Sequence, residues 1–509
     1  MTLIRKSYFF NSFFWTTASK LLNAVVSFIT VPLLLGLYGK AEYGILSIAT
    51  ACNGYMSLLD MGMNVGAVKF FAQWKEEGRD DLLYRVANTN ITFYMIISVV
   101  NILILLLLAF FGESLFNVTH EQFKTLQQCI YILAMFSVFN WLSTPFNQLL
   151  IANKHMAYTM KIQSLLPVLK LILIGFTLYY NLKIVQYFFL ITAITALLVF
   201  PYAYKCIKWK LINSLKPEMY WSDFKAVMMY SLSIFTMSII QSTSTQTRPI
   251  ILSILAKDGA GAVADFNIIG AIPLFVTMLG GSFVGIFIPK TSEMVARNNC
   301  MEIESFAYKW TVLTSVIITV LSFPFIVGSS EIMSAYVGSE YSNLSSWMIL
   351  WLLIVILQVH SSPCYSLILA YGKTKNLVIC SAVSCIISII VNCSFANILG
   401  AGSAVLGYAV YIIIGLIYNY MYYYKNLLHL NRGTLLKNFL SPFLVGVIVS
   451  IIVGAFNIDI SLMQIHNDRI AYIIIWGIKA FSWLVIYLLA IYALKIIRYK
   501  NGIIVTMYE

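Results

Sequence analysis

The fold of this chain is decided near its start by residues 7–72, which read SYFFNSFFWTTASKLLNAVVSFITVPLLLGLYGKAEYGILSIATACNGYMSLLDMGMNVGAVKFFA. Two apolar segments, residues 7–38 and 43–72, flank the short polar connection Gly39–Glu42. Each segment holds about 30 residues, and a helix of that length extends about 45 Å, more than the roughly 30 Å of hydrocarbon in a bilayer. The stretch therefore predicts a hairpin of two membrane-spanning helices.

Both predicted helices carry polar and charged residues along one side. On a helical period, Lys20 and Asn23 share a stripe in the first segment, and Asp60 shares one with Asn53 and Asn64 in the second. Charges within hydrocarbon are costly, and they face a protein interior or water rather than lipid. We therefore expect this hairpin to line a wet interior cavity.

The rest of the chain repeats the apolar character of this hairpin. Of its 509 residues, 60% are hydrophobic and 10% charged, and the mean hydropathy is +0.84. These values are typical of polytopic membrane proteins rather than soluble domains. We predict an all-α polytopic membrane protein of about 14 transmembrane helices. The predicted spans are residues 7–38, 44–72, 87–111, 127–151, 159–180, 184–206, 226–256, 262–289, 306–329, 345–371, 377–398, 404–424, 438–457 and 471–497.

The basic residues predict the orientation of these spans. The net charge is +13, and most Lys and Arg residues stand in the short links between spans. The links on the side of the amino terminus hold twenty of them, whereas the opposite links hold five. Basic loops remain on the cytoplasmic side, so both termini are expected there. The positive charge therefore indicates no nucleic-acid partner.

Two internal matches indicate a duplication. Residues 32–40 (PLLLGLYGK) resemble residues 249–257 (PIILSILAK), 217 positions later. Residues 143–152 (STPFNQLLIA) resemble residues 361–370 (SSPCYSLILA), 218 positions later. Six spans per copy leave the two copies pointing the same way, and transporters built from such repeats bind substrate where the repeats meet. The predicted parts are a six-helix lobe of residues 1–215, a second of residues 216–437, and two additional helices in residues 438–509.

The seventh predicted span holds an unusual polar run. Residues 241–248 read QSTSTQTR, and Gln241, Thr245 and Arg248 fall on one stripe. The planar fork of Arg can bond two oxygens of a phosphate at once, whereas Lys acts as a point charge. The fifth span adds Lys170 near its middle.

These cations outnumber the acids inside the spans. The cations are Lys20, Lys170 and Arg248, whereas the single acid clearly inside a predicted span is Asp60. Intraprotein ion pairs or side chains that reach to the interface are the alternative explanation of each cation. The surplus favours an anionic ligand, and Asp60 is expected to be a charge partner of Lys20 or an ion-coupling group. The predicted substrate-binding residues are Lys20, Asn23, Lys170, Gln241, Thr245 and Arg248.

Enzymatic and cofactor motifs do not emerge from the sequence. The five histidines stand far apart without a metal-binding spacing, and no paired carboxylates or Ser-His-Asp pattern is evident. Residues 372–374 read GKT, but Leu367 occupies the position of the earlier P-loop glycine. We expect no catalytic residues, no metal and no cofactor.

The chain resembles the polysaccharide-export branch of the MOP exporter superfamily, in particular Wzx-type O-antigen flippases. The residues that carry this resemblance are Asn11, Pro32, the turn at residues 38–44, Leu59-Asp60-Met61-Gly62, the loop at residues 336–341 and the turn at residues 370–373. The resemblance implies a MATE-like fold of two six-helix bundles around a cationic cavity, with two extra helices. It also implies a bacterial inner-membrane protein that moves an undecaprenyl-diphosphate-linked oligosaccharide, such as an O-antigen unit of lipopolysaccharide, from the inner to the outer leaflet.

Partners implied by this resemblance are the lipid-linked substrate, membrane lipid and other polysaccharide-assembly proteins such as a polymerase or a chain-length regulator. An ion-coupled drug or metabolite antiporter on the same fold is one alternative. Drug-exporting relatives typically place an acid in the first span, where this chain has Lys20, which counts against a cationic drug. A membrane-embedded glycosyltransferase, polymerase or ligase is another alternative, but such enzymes usually have a large extramembrane loop.

Overall fold

The computed structural model describes residues 2–212, 217–297, 299–372, 375–455, 468–500 and 503–506. The chain forms two compact units, one of residues 1–264 and 395–400 and the other of residues 265–394 and 401–509. The predicted lobe boundary between residues 215 and 216 lies outside the described residues, and the division into two six-helix lobes stays a prediction.

The first unit is built from helices. They are α1 (Thr2–Met56), α2 (Met63–Glu76), α3 (Asp80–Phe111), α4 (His120–Ala152), α5 (Met156–Gln163), α6 (Leu165–Tyr180), α7 (Ile184–Ala196), α8 (Val199–Lys208), α9 (Trp221–Leu255) and the start of α10 (Gly259–Ala296).

The second unit continues α10 and adds further helices and a small hairpin. They are α11 (Cys300–Val327), α12 (Ser329–Tyr336), α13 (Ser345–Val359), α14 (Ser362–Ala370), α15 (Lys375–Leu399), α16 (Ala401–Tyr418), a π-helix (Asn419–Leu427), α17 (Arg432–Gly454), α18 (Asp468–Ala493), and strands β1 (Ile497–Lys500) and β2 (Ile503–Thr506). The strands pair antiparallel, with Ile497 opposite Thr506.

The prediction of a helical polytopic membrane protein is confirmed. In the described residues, 12 helices are long and apolar enough to cross a membrane. The predicted count of about 14 is approximate. One candidate span, Ala18–Asp60, covers residues 18–38 of the first predicted span and part of the second.

The second predicted span is not one continuous helix. The helical path of α1 is interrupted at Gly39 (φ 74°), where a turn was predicted, and α1 then ends at Met56. A 3₁₀ turn, Ser57–Asp60, leads to left-handed Met61 (φ 50°) and Gly62 (φ 73°), and α2 follows. Glycine adopts positive φ at low cost, so the sequence Leu59-Asp60-Met61-Gly62 accommodates the break.

The core of the first unit lies where α2, α3, α4, α8 and α9 meet. Its side chains are almost fully buried, among them Phe71, Tyr94, Leu149, Tyr202 and Phe224. Aromatic and aliphatic contacts of this kind stabilise helix packing in a membrane through close van der Waals fit.

A row of glycines sets the approach of α1 and α2 to α9 and α10. A Cβ on Gly44 would overlap the backbone carbonyl of Ala260, and one on Gly62 would lie 2.6 Å from the Ser231 carbonyl oxygen. A Cβ on Gly66 would likewise overlap the Ser231 hydroxyl. Small residues allow helix backbones to pack closely in membranes. We call these contacts, with Gly54 against Gln246, the glycine seam.

In the second unit, α18 is held by polar contacts as well as apolar ones. The indole Nε1 of Trp476 donates to the Pro324 carbonyl at 3.0 Å, and that of Trp483 donates to the Ser450 hydroxyl at 2.9 Å. Phe323 stacks on Trp483 with an interplanar angle of 7°. Helices α17 and α18 therefore pack against each other and against α11.

Substitution of Gly44 tests the glycine seam. Gly44→Ala forces a methyl group into the Ala260 backbone, and overpacking of this kind costs about 1–3 kcal/mol. Gly36→Ala, before the interruption of α1 at Gly39, meets nothing within 4 Å and should be neutral or stabilising, because alanine favours a helix by up to about 1 kcal/mol. Thermal unfolding of the purified variants in detergent measures the difference. Equal midpoints for the two variants would contradict the seam.

Candidate functional site

Two of the predicted site residues belong to α1, which contacts the helix α6 that carries a third. The helix α1 packs against α5 and α6, and the Lys161 ammonium lies 5.8 Å from the centre of the Trp15 ring. Beyond this contact, α1 carries Lys20 and α6 carries Lys170. Lys20 is exposed and Lys170 is half-buried. The fold thus places both ammonium-bearing residues on neighbouring helices of one unit.

Asn23 lies one turn beyond Lys20 on α1. Its side-chain amide donates to the Ser19 carbonyl at 2.9 Å, and the side chain is exposed. Since an exposed amide keeps hydrogen-bonding capacity beyond this one contact, Asn23 can still meet a polar ligand.

The polar run of α9 packs against the other half of α1. The Gln246 side chain lies at Gly54, where a Cβ would approach its amide within 3.2 Å. Thr245 is exposed, whereas Arg248 is only 6% exposed. Gln241 belongs to α9, but its side chain is outside the described part of the structure. Helix α1 therefore contacts both α6, which carries Lys170, and α9, which carries Thr245 and Arg248.

Asp60 is hydrogen-bonded at the break between α1 and α2. One carboxylate oxygen accepts from the Tyr94 hydroxyl, and the other accepts from the Asn64 backbone N–H at 3.1 Å. Among the hydrogen bonds and ion pairs of the described residues, none joins Asp60 to Lys20. Asp60 therefore caps the first turn of α2, and its ion-coupling role stays a prediction.

The hydrogen bond from Tyr94 to Asp60 is the last in a series of buried side-chain hydrogen bonds. The Gln148 side-chain Nε2 donates to the Tyr94 hydroxyl at 2.8 Å, and the Asn90 side-chain Nδ2 donates to the Gln148 side-chain Oε1 at 2.7 Å. Asn90, Tyr94 and Gln148 are each 0% exposed. We call Asp60, Tyr94, Gln148 and Asn90 the polar relay. It joins the break after α1 to α3 and α4.

Sequence reasoning missed the three members of the polar relay on α3 and α4. A signal was present, because Asn90, Tyr94, Ser98 and Asn101 recur at helical spacing along one side of α3. Asn101 also reaches α4, where its amide donates to the Ser137 hydroxyl at 2.8 Å. The stripe therefore marks a helix contact rather than a cavity lining.

Sequence reasoning also missed an ion pair in the second unit. Lys479, in the middle of α18, lies 2.5 Å from a carboxylate oxygen of Glu331 on α12, and the side chains are 11% and 20% exposed. This cation is neutralised inside the protein. By contrast, the described residues provide no ion pair to Lys20 or Lys170.

The chain is similar to one protein family and to several solved structures. A family model described as polysaccharide biosynthesis protein matches residues 9–295. No curated protein sequence matches the chain.

Among solved structures, the lipid II flippase MurJ in an inward closed conformation has a TM-score of 0.68 at 15% identity, covering 96% of this chain and 99% of that chain. A multidrug resistance MATE family transporter of the MOP superfamily, inward-facing, has a TM-score of 0.62 at 14% identity, covering 82% and 96%. The MATE multidrug transporter DinF-BH has a TM-score of 0.58 at 15% identity, covering 83% and 95%. These likenesses confirm the predicted MATE-like fold.

Substitution within the polar relay tests its contribution to stability. Gln148→Met keeps the side-chain volume but leaves the buried Asn90 amide without its acceptor, which should cost about 1–2 kcal/mol. Asn90→Leu combined with Gln148→Met removes both partners and should recover part of that loss, since no buried amide is then orphaned. Chemical unfolding of the purified variants gives the free energies. A double variant less stable than the single would show that these residues do not act as a hydrogen-bonded chain.

Proposed function

Because the chain belongs to the polysaccharide biosynthesis protein family, we propose that it is a flippase for a lipid-linked oligosaccharide. Its substrate is an undecaprenyl-diphosphate-linked unit of O-antigen or of a related surface polysaccharide. It moves this substrate from the inner to the outer leaflet of the bacterial cytoplasmic membrane by alternating access. Both of its termini lie in the cytoplasm, as the excess of basic residues in the inner links supports.

The observation that carries the proposal is the unequal balance of charge inside the helices of the first unit. Lys20 on α1 and Lys170 on α6 have no ion pair within the described residues, and the α9 guanidinium of Arg248 is buried. Asp60 bonds to Tyr94 and to the backbone at Asn64. A diphosphate would supply the negative charge that Lys20 and Lys170 lack among the described residues.

In this proposal the three cations hold the diphosphate. The fork of Arg248 can bond two phosphate oxygens, while Lys20 and Lys170 supply point charges. Asn23, Gln241 and Thr245 offer amides and a hydroxyl, the groups that hydrogen-bond to sugars. The polyprenyl tail stays in the bilayer, so the charged headgroup crosses without contact with hydrocarbon.

Asp60 has a separate role in this proposal. It couples the transport cycle to a proton or ion gradient, from its position at the break between α1 and α2. The break supports this role because a carboxylate that caps α2 can alter the local backbone when its charge changes. The partners are the lipid-linked substrate, membrane lipid, and a polymerase or chain-length regulator of the same assembly process. No covalent bond of the substrate changes, so no catalytic residue is required.

Charge-removing substitutions test the proposed phosphate contacts. Lys20→Gln and Arg248→Gln each remove a charge-assisted contact worth about 1.5–3 kcal/mol, so transport should fall about tenfold or more. The assay is surface polysaccharide in cells whose own flippase gene is deleted, at matched protein levels. Lys124→Gln, an exposed position at the start of α4, is the matched control and should restore wild-type polysaccharide.

Two outcomes would contradict the proposal. Wild-type polysaccharide from both Lys20→Gln and Arg248→Gln would remove the phosphate-binding role. Efflux of cationic drugs by the wild-type chain, with no effect of deletion on surface glycan, would favour the antiporter instead.

A further inference from the structure

A wedge-shaped cleft lies between α15 and α16 in the second unit. The two helices are joined through Gly400 (φ 51°) and run antiparallel. Near this turn they are in close contact, because the Ser403 hydroxyl donates to the side-chain oxygen Oδ1 of Asn392 at 2.9 Å and a Cβ on Gly407 would lie 2.9 Å from the Ser388 backbone carbonyl oxygen. Glycine therefore sets the narrow end of the wedge.

Toward their other ends the helices diverge around a cavity. Its volume is about 460 Å³, and it lies between the first two turns of α15 and the end of α16. The apolar residues that line it are Ile379, Cys380, Val383, Ile414, Ile417 and Met421. From Asn376 to Val383 the cleft extends about 10 Å along the helix axis. These dimensions suit one hydrocarbon chain.

The lining of this cleft remains uncovered by the protein. Ile379 is 54% exposed, Ile417 is 55% and Met421 is 62%. In a membrane these side chains face the bilayer, so the occupant enters from the lipid phase.

The wide end of the cleft is basic. Lys375 begins α15 next to Asn376, and Lys425 lies in the π-helix that follows α16. The Arg432 guanidinium lies 3.3 Å from the sulfur of Met421, which lines the cleft. Residues 341–458 contain no Asp or Glu, so the chain segment that forms this region provides cations without acids of its own.

An aromatic cluster accompanies these cations. Tyr418 stacks on Tyr422 with ring centroids 5.4 Å apart and meets Tyr423 edge-on at 5.8 Å. Tyrosine is enriched at the boundary between hydrocarbon and headgroups. The cluster thus places the wide end of the cleft at headgroup level and its narrow end inside the hydrocarbon.

We propose that this cleft is a binding site for an anionic phospholipid, with one acyl chain between α15 and α16 and the phosphate beside Lys375, Lys425 and Arg432. The apolar wedge provides the fit to the chain, and the basic end selects a negative headgroup. The site is separate from the substrate-binding residues of the proposed function, all of which belong to the first unit. A lipid held here fills a gap that would otherwise leave two helices unsupported.

Native mass spectrometry of the purified full-length protein tests this site, with phosphatidylglycerol or phosphatidylethanolamine added at equal concentration. Wild type should retain one phosphatidylglycerol preferentially. Val383→Trp fills the cleft and should lower its occupancy at least fivefold. Ile390→Trp, on the same helix, 57% exposed and outside the cleft, is the matched control and should bind as wild type does.

A charge variant tests the headgroup contact independently of packing. Arg432→Gln should reduce the preference for phosphatidylglycerol over phosphatidylethanolamine about fivefold, the value of one cation close to an anionic lipid. Lys437→Gln, exposed further along α17, should leave the preference unchanged. This variant remains decisive if Val383→Trp fails to fold.

Three results would overturn the proposal. They are equal lipid occupancy in wild type and folded Val383→Trp, an unchanged lipid preference in Arg432→Gln, and displacement of phosphatidylglycerol by undecaprenyl phosphate at lower concentration. The third would assign the cleft to the tail of the transported lipid. Because the readout is bound lipid rather than transport, loss of the proposed flippase function would leave this inference standing.

Discussion

Close packing of α1 and α2 against α9 is the interaction on which the first unit depends. Glycines at positions 44, 54, 62 and 66 leave room for backbone and side chains of the opposing helices. In lipid, helices gain little from burying apolar surface against one another, so close approach and internal hydrogen bonds decide which helices associate. The glycine seam therefore determines where the polar run of α9 lies, and with it the buried guanidinium of Arg248.

The charged and polar groups inside these helices fall into two classes. Those of the first class are satisfied by the protein itself, as in the relay from Asp60 to Asn90 and in the ion pair of Lys479 with Glu331. Lys20 and Lys170 form the second class, with ammonium groups on adjacent helices and no ion pair among the described residues. The proposed function requires both classes, because the first stabilises a fixed scaffold while the second is available to a ligand that binds and leaves.

The sequence predicted the helices, the turn at Gly39 and the polar faces of α1 and α9, because these depend on local composition and on the 3.6-residue period. It did not predict the break at Ser57–Gly62, since an apolar segment of sufficient length favours a straight span. It also did not distinguish Lys170 from Lys479. Each is a lone lysine within an apolar helix, and only tertiary packing brings Glu331 to one of them. The relay was missed for the same reason, because periodicity identifies a polar face but not its partner.

The interruption between α1 and α2 places the end of one helix close to the start of the next, with residues 57–62 between them. The first backbone N–H groups of α2 carry a partial positive charge there, since each helix is a dipole with its positive end at the amino terminus. Asp60 occupies that end through Asn64. The protein thus holds an internal source of electrostatic potential that requires no basic side chain, and a change in the charge of a single carboxylate would alter how strongly two half-helices attract or release each other.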